Sequence, residues 1–194
     1  IEVTVQNQTA KKAEIQLQGD IREWMNRAGT DINSAPVPDW TLGNEALSVA
    51  PAKVSVAAGT SQKVTLQVPV GKDVLKYWTP EHPNLYALLL SVKNQKQTVD
   101  TKYERFGWRE WTLQGTTQCL NGEPYALHGD SWHFMGIPQM TRRYAWAWFT
   151  AIKGMNANAV RPHAQVYPRF YLDMADEMGI CVLNETANWA SDGG

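Results

Sequence analysis

Residues 158–185 read NAVRPHAQVYPRFYLDMADEMGICVLNE, and this stretch decides what kind of fold the chain has. Ala159 and Val160 form a short apolar run, as expected of a buried strand, and Arg161 and His163 follow it directly. Pro168 suits the first turn of a helix, where its missing N–H costs nothing. Phe170, Met174 and Met178 then recur every four residues on one face, with Asp173 and Glu177 on another, and Gly179 supplies a stop. ICVLNE at 180–185 reads as the next strand. Strand, helix and strand in so short a span imply parallel strands joined by a crossover helix.

The same grammar extends upstream. From Thr141 to Lys153 the positions of Tyr144, Trp148, Ala151 and Ile152, continued by Met155, have helical spacing, and Gly154 with Asn156 supplies an end. PYALHG at 124–129 is the candidate for the first strand of the series. Before Trp111 the period changes to two. Ile1, Val3 and Val5 alternate with polar residues, as do Ala13, Ile15 and Leu17, then Val64 to Val70, then Tyr86 to Val92. Strands of this kind, separated by turn residues, predict an immunoglobulin-like antiparallel β-sandwich. Residues 26–47 fit neither period and are expected to be a long loop. The predicted organisation is a sandwich over 1–111, a connector over 112–123 containing the hairpin signal Asn121-Gly122, and βα units over 124–194. The fold class is therefore multi-domain, β plus α/β.

Composition narrows the function. The 194 residues carry 18 lysines and arginines against 19 aspartates and glutamates, with no run of one sign, so no nucleic-acid or anionic-membrane partner is expected. The longest apolar run, LYALLLSV, has the length of a strand and not of a membrane span. The chain is expected to be soluble, periplasmic or secreted ahead of cytoplasmic. Two cysteines without a CxxC, and no histidine cluster at ligand spacing, indicate neither a disulfide framework nor a metal site. No glycine-rich fingerprint follows any strand, so no nucleotide and no other cofactor is expected. An opening at Ile1 without an initiator Met implies a piece of a longer protein.

Active sites of parallel α/β sheets lie at the carboxyl ends of the strands. Here those ends carry HGDSWH (128–133), RPH (161–163) and NETANW (184–189). Asp130, Trp132, His133, Arg161, His163, Glu185 and Trp189 are accordingly the candidate ligand-contacting or supporting residues. Aromatic rings beside Arg, His and Glu suit a polar, ring-shaped ligand such as a sugar. The competing structural reading makes Arg161 and Glu185 an ion pair that closes the sheet, the histidines satisfied structural groups, and the tryptophans core.

Four stretches taken together, YWTPEHPNLYALLLSV (77–92), FGWREW (106–111), LNGEPYALHGDSWH (120–133) and the opening quotation, resemble glycoside hydrolase family 2 in order and spacing. That family includes β-galactosidases, β-glucuronidases and β-mannosidases. The resemblance implies an immunoglobulin-like domain followed by the first three βα units of a TIM-type (β/α)8 barrel. It implies a retaining β-glycosidase acting on a carbohydrate substrate, with β-galactoside as the leading guess. It places Arg161 beside the catalytic nucleophile, His133 and His163 near sugar hydroxyls, and Glu185 as a supporting carboxylate at the end of strand three. The family's acid/base and nucleophile stand on strands four and seven, so no catalytic residue is expected within 1–194, and the segment alone is expected to be inactive. TANWASDGG shows no counterpart of the magnesium-binding sequence known in some members. Three βα units leave an open barrel edge, which a second copy in a homo-oligomer would cover. The alternative from another class is a non-catalytic immunoglobulin-like carbohydrate-binding or interaction module.

Overall fold

The computed structural model describes residues 1–26, 40–133 and 136–186. These are mostly β, with two α-helices among the described residues. The chain divides into two compact units. One comprises residues 1–25, 42–76 and 86–106, and the other 26–41, 77–85 and 107–194.

The first unit holds six strands: β1 (Glu2–Gln6), β2 (Ala13–Asn26), β3 (Trp40–Val56), β4 (Ser61–Thr65), β5 (Tyr86–Asn94) and β6 (Gln97–Phe106). β1 pairs with β4, and the other four form a sheet in the order β3-β2-β5-β6. Ile15, Leu17, Val54 and Val56 are buried in one apolar cluster, joined by Val3, Val5, Val64 and Val92, so strands of both sheets share a core. The inward positions are the period-two residues, as pleating requires.

Two expectations for this unit need correction. Trp40 to Leu47, expected to lie in a loop, belongs to β3. Its first half is exposed or half-buried and carries Gly43, Asn44 and Glu45, which obscures the strand pattern, although Ala46 and Leu47 pack against the buried cluster of Ile21, Leu75 and Tyr86. Residues 27–39 of the same expected loop lie outside the described residues. The strand expected over Val64–Val70 ends at Thr65, and the Leu66 N–H donates instead to the Ile1 carbonyl, 2.8 Å away.

The second unit begins with the expected connector, which is itself folded. β7 (Trp111–Gln114), β8 (Thr117–Leu120) and β9 (Glu123–Pro124) form an antiparallel sheet. Asn121 and Gly122 form the turn between β8 and β9 with φ of 55° and 87°, the geometry that favours this dipeptide. A second sheet follows, parallel and ordered β10-β11-β12, made of Gly129–Trp132, Ala159–Pro162 and Cys181–Val182. α1 (Arg142–Gly154) connects β10 to β11, and α2 (Arg169–Met178) connects β11 to β12.

The expected strand PYALHG is displaced to Gly129–Trp132. Tyr125 donates its hydroxyl to Glu81 at 2.9 Å and its N–H to Gln118 O at 3.0 Å, and takes no part in the parallel sheet. Gly129 can enter because it has no side chain: a Cβ there would stand 2.1 Å from the Ala159 carbonyl oxygen. The helices lie close to their expected bounds. Thr141 caps α1 by accepting from the Tyr144 N–H at 3.2 Å, and Gly179 ends α2 in the left-handed conformation with φ 72°.

The buried faces of both helices are shifted by about one residue from expectation. α1 buries Ala145, Phe149 and Ile152, leaving Ala151 and Met155 exposed, while α2 buries Tyr171, Met174 and Ala175. Apolar residues stand in adjacent columns at Tyr144/Ala145, Trp148/Phe149 and Phe170/Tyr171, and sequence spacing fixes the period but not which column turns inward. Glu177, read on a different face from Phe170, Met174 and Met178, has a side chain only 5% exposed and pairs with Arg142 of α1 at 3.3 Å. No described helix is long and apolar enough to cross a membrane.

Candidate functional site

The parallel sheet sorts its side chains by alternation. Val160 lies in the core with the helices, and Trp132 and Val182 pack against that core. Gly129, Ser131, Ala159 and Arg161 alternate with these residues, and they line a cavity of about 300 Å³ together with Leu127, Asp130, Val160 and Leu183. Ser131 stands in register with Arg161 across the strands. The polar ends of β10, β11 and β12 therefore share one edge of the sheet.

Arg161, His163 and Glu185 meet at that edge. Arg161 Nε donates to Glu185 Oε1, and its Nη2 lies 3.2 Å from His163 Nδ1. The second oxygen of Glu185 accepts from the Ala164 backbone N–H at 2.6 Å. Ala164 reaches this position in the left-handed region, φ 50°, where a residue with a Cβ stays only if its surroundings hold it. The His163 N–H donates to the Trp132 carbonyl at 2.9 Å, which ties the loop after β11 to the end of β10. His133, the residue after β10, stacks edge-on against His163 with ring centroids 4.4 Å apart.

The hydrogen bond from Arg161 holds the Glu185 carboxyl below its usual range, with the Ala164 N–H next in weight. A general acid at neutral pH needs the opposite shift, upward by burial or a like charge. Both oxygens of Glu185 are engaged, and its side chain is 30% exposed beside an Arg161 side chain that is 44% exposed. The arrangement suits a fixed, ionised carboxylate that orients its neighbours or accepts hydrogen bonds from a ligand.

The remaining sequence candidates divide. Asp130 is exposed, and its Oδ1 accepts from the Ser131 N–H at 2.7 Å. Trp132 turns toward the helices. Its ring stacks on Tyr144 at 5.7 Å and Trp148 at 5.5 Å and meets Tyr167 and Tyr171, so it supports the core beneath the site. Trp189 lies outside the described residues. Sequence reasoning missed Ala164, which contributes a backbone N–H and leaves no side-chain signature. A larger cavity of about 530 Å³ is lined by Trp78, Arg109, Trp111, Asp176 and Asn184 among others. Its charged groups are already matched to one another: Arg109 pairs with Asp176 at 3.3 Å and stacks over Trp78 at 4.4 Å.

Comparison with known proteins gives a consistent result. The family model described as Glycosyl hydrolases family 2 matches residues 1–109. A Formosa agariphila protein provisionally named a β-glucuronidase is 34% identical over 115 residues, covering 57% of this chain and 11% of that protein. A β-galactosidase of Priestia megaterium is 28% identical over 142 residues, covering 71% of this chain and 14% of that protein. Among solved structures, the β-glucuronidase of Bacteroides uniformis superposes with a TM-score of 0.67 at 23% identity, over 93% of this chain and 20% of that one. The chain thus spans about a tenth to a fifth of the length of these proteins.

Proposed function

Because the chain belongs to glycosyl hydrolases family 2, we propose that it is a segment of a retaining β-glycosidase. In this reading β1 to β6 form an immunoglobulin-like domain, and β10, β11 and β12 with the two crossover helices α1 and α2 are the first three strands of a (β/α)8 barrel. The observation that carries the reading is the ion pair of Arg161 with Glu185, flanked by His163 and His133 at the carboxyl edge of a parallel sheet. Active sites of parallel α/β barrels lie on that edge. Retaining glycosidases use two carboxylates about 5 to 5.5 Å apart, one as acid/base and one as nucleophile. Glu185, whose two oxygens already accept from Arg161 and the Ala164 N–H, is read here as a supporting carboxylate, and this reading seeks the catalytic pair outside residues 1–194. Arg161 is then the fixed cation beside the nucleophile, since a guanidinium holds a carboxylate in plane where an ammonium does not. β-Galactosides are the first substrates to test, with β-glucuronides next.

The test measures nitrophenol release from β-galactoside, β-glucuronide and β-mannoside substrates. The intact protein that contains these residues should cleave one of them, and Arg161→Lys should lower kcat/KM by about 10- to 100-fold, roughly 1.4 to 2.7 kcal/mol of transition-state stabilisation. Residues 1–194 alone should release none. Turnover by residues 1–194 that Glu185→Gln abolishes would make Glu185 catalytic and overturn this assignment.

A further inference from the structure

We infer that His163 is a positioning residue acting as a hydrogen-bond acceptor: its neutral ring, protonated on Nε2 and unprotonated on Nδ1, fixes the guanidinium of Arg161 in the orientation from which Nε reaches Glu185. Arginine has five N–H donors and no acceptor and stays protonated in proteins. The 3.2 Å contact between Arg161 Nη2 and His163 Nδ1 is therefore a hydrogen bond only if Nδ1 offers its lone pair. That selects one tautomer and places the ring proton on Nε2.

The backbone makes the ring a fixed support. The His163 N–H is bound to the Trp132 carbonyl, and the adjacent Ala164 turns left-handed so that its own N–H meets the second oxygen of Glu185. Arg161, His163 and Ala164 thus form a closed clamp: Ala164 N–H and Arg161 Nε hold the two carboxylate oxygens, and His163 holds the guanidinium at Nη2. The charged and titratable groups beside the imidazole are Arg161 from β11 and His133 after β10, with Glu185 after β12 bound to the same guanidinium. Protonating Nδ1 would aim one donor at another and open the contact, so a single proton on His163 releases the guanidinium. This inference concerns the clamp and does not depend on which bond the intact enzyme cleaves.

The experiment uses the 194-residue chain and imidazole nitrogen NMR. At neutral pH, His163 should show an unprotonated Nδ1 and a protonated Nε2. Titrating the ring, followed by its own nitrogen shifts, should shift the Arg161 Nε–H resonance in step. In His163→Leu, hydrogen exchange at Arg161 Nε should accelerate about tenfold, as expected for losing one hydrogen bond to a charged group. His163→Asn, whose Oδ1 takes the place of Nδ1, should restore exchange to within about threefold of the original. A protonated Nδ1 at neutral pH, or equal acceleration in the leucine and asparagine variants, would overturn the inference. The tautomer is read on the unsubstituted chain, so the test survives if a variant fails to fold.

Discussion

The indole of Trp78 donates from Nε1 to the backbone carbonyl of Asp176 at 2.8 Å, a contact that spans 98 positions of chain. Arg109 lies over the same ring at 4.4 Å and pairs with the Asp176 carboxylate. Trp78 is 2% exposed, and Asn121 Nδ2 donates to its carbonyl at 3.1 Å. Residues 77–85 are therefore part of the α/β unit even though the strands on either side of them in sequence belong to the other unit. Trp78→Phe keeps a ring under Arg109 but leaves the Asp176 carbonyl without its donor. It should cost about 1 to 3 kcal/mol in urea denaturation, and Trp78→Ala about 3 to 5 kcal/mol.

Gly179 should tolerate no side chain. Its φ of 72° already favours glycine, and an added Cβ would stand 2.2 Å from the Pro80 carbonyl oxygen, a backbone atom. Gly179→Ala should therefore cost more than the roughly 1 to 2 kcal/mol of left-handed strain alone. Gly115, also left-handed at φ 64° but with open space around it, is the control. Gly115→Ala should show only the strain, and denaturation midpoints of the two variants make the comparison.

The start of α1 rests on one hydroxyl. Thr141→Ala removes the acceptor for the Tyr144 N–H and should destabilise by about 1 kcal/mol, whereas Thr141→Ser should stay within a few tenths of a kcal/mol. Thermal unfolding of the three proteins checks this.

The pairing of Glu185 should be visible as a pH dependence. Its folded carboxyl titrates below the ordinary glutamate value because Arg161 and the Ala164 N–H favour the ionised form. Such a group adds stability that is fully present above the unfolded value of about 4.3 and is lost as the pH falls through the folded value. Unsubstituted protein should thus be more stable than Glu185→Gln at pH 7, and the difference should shrink as pH falls below about 4. A difference that stays constant from pH 7 to pH 3 in urea titrations would show that the pair contributes nothing through its charge.

How much was legible in advance depended on whether side chains or backbone make the contact. The alternation around Ile15, Leu17, Leu88 and Leu90 marked β2 and β5 because their side chains pack on an apolar layer. β3 between Trp40 and Leu47 reaches the core only at its end, with Ala46 and Leu47, and β10 at Gly129–Trp132 does so with Trp132, so neither shows a full alternating pattern. β10 even requires a glycine at 129 and carries two small polar residues, Asp130 and Ser131, where a strand signal would call for apolar ones. Arg161, His163 and Glu185 stood out because charged and titratable residues directly after apolar runs have few other reasons to be there. Ala164 did not, since a left-handed alanine and its N–H have no compositional trace. Trp132 fitted a ligand pocket and a core equally well by type, and its ring partners, Tyr144 and Trp148, show that it packs against the core.

The outer strand β6 bears on how the chain behaves in a crowded solution. β6 ends its sheet and is exposed along most of its length, Val99 and Tyr103 included. Free strand edges recruit other strands. This one alternates Asp100, Lys102 and Glu104 along one face, with Lys102 and Glu104 paired at 3.0 Å. An incoming strand would have to strip water from three charges to lie flat against it. The ladder keeps its hydrogen bonds with β5 while discouraging a fifth strand, so protection against fibrous association is written into the same residues that complete the sheet.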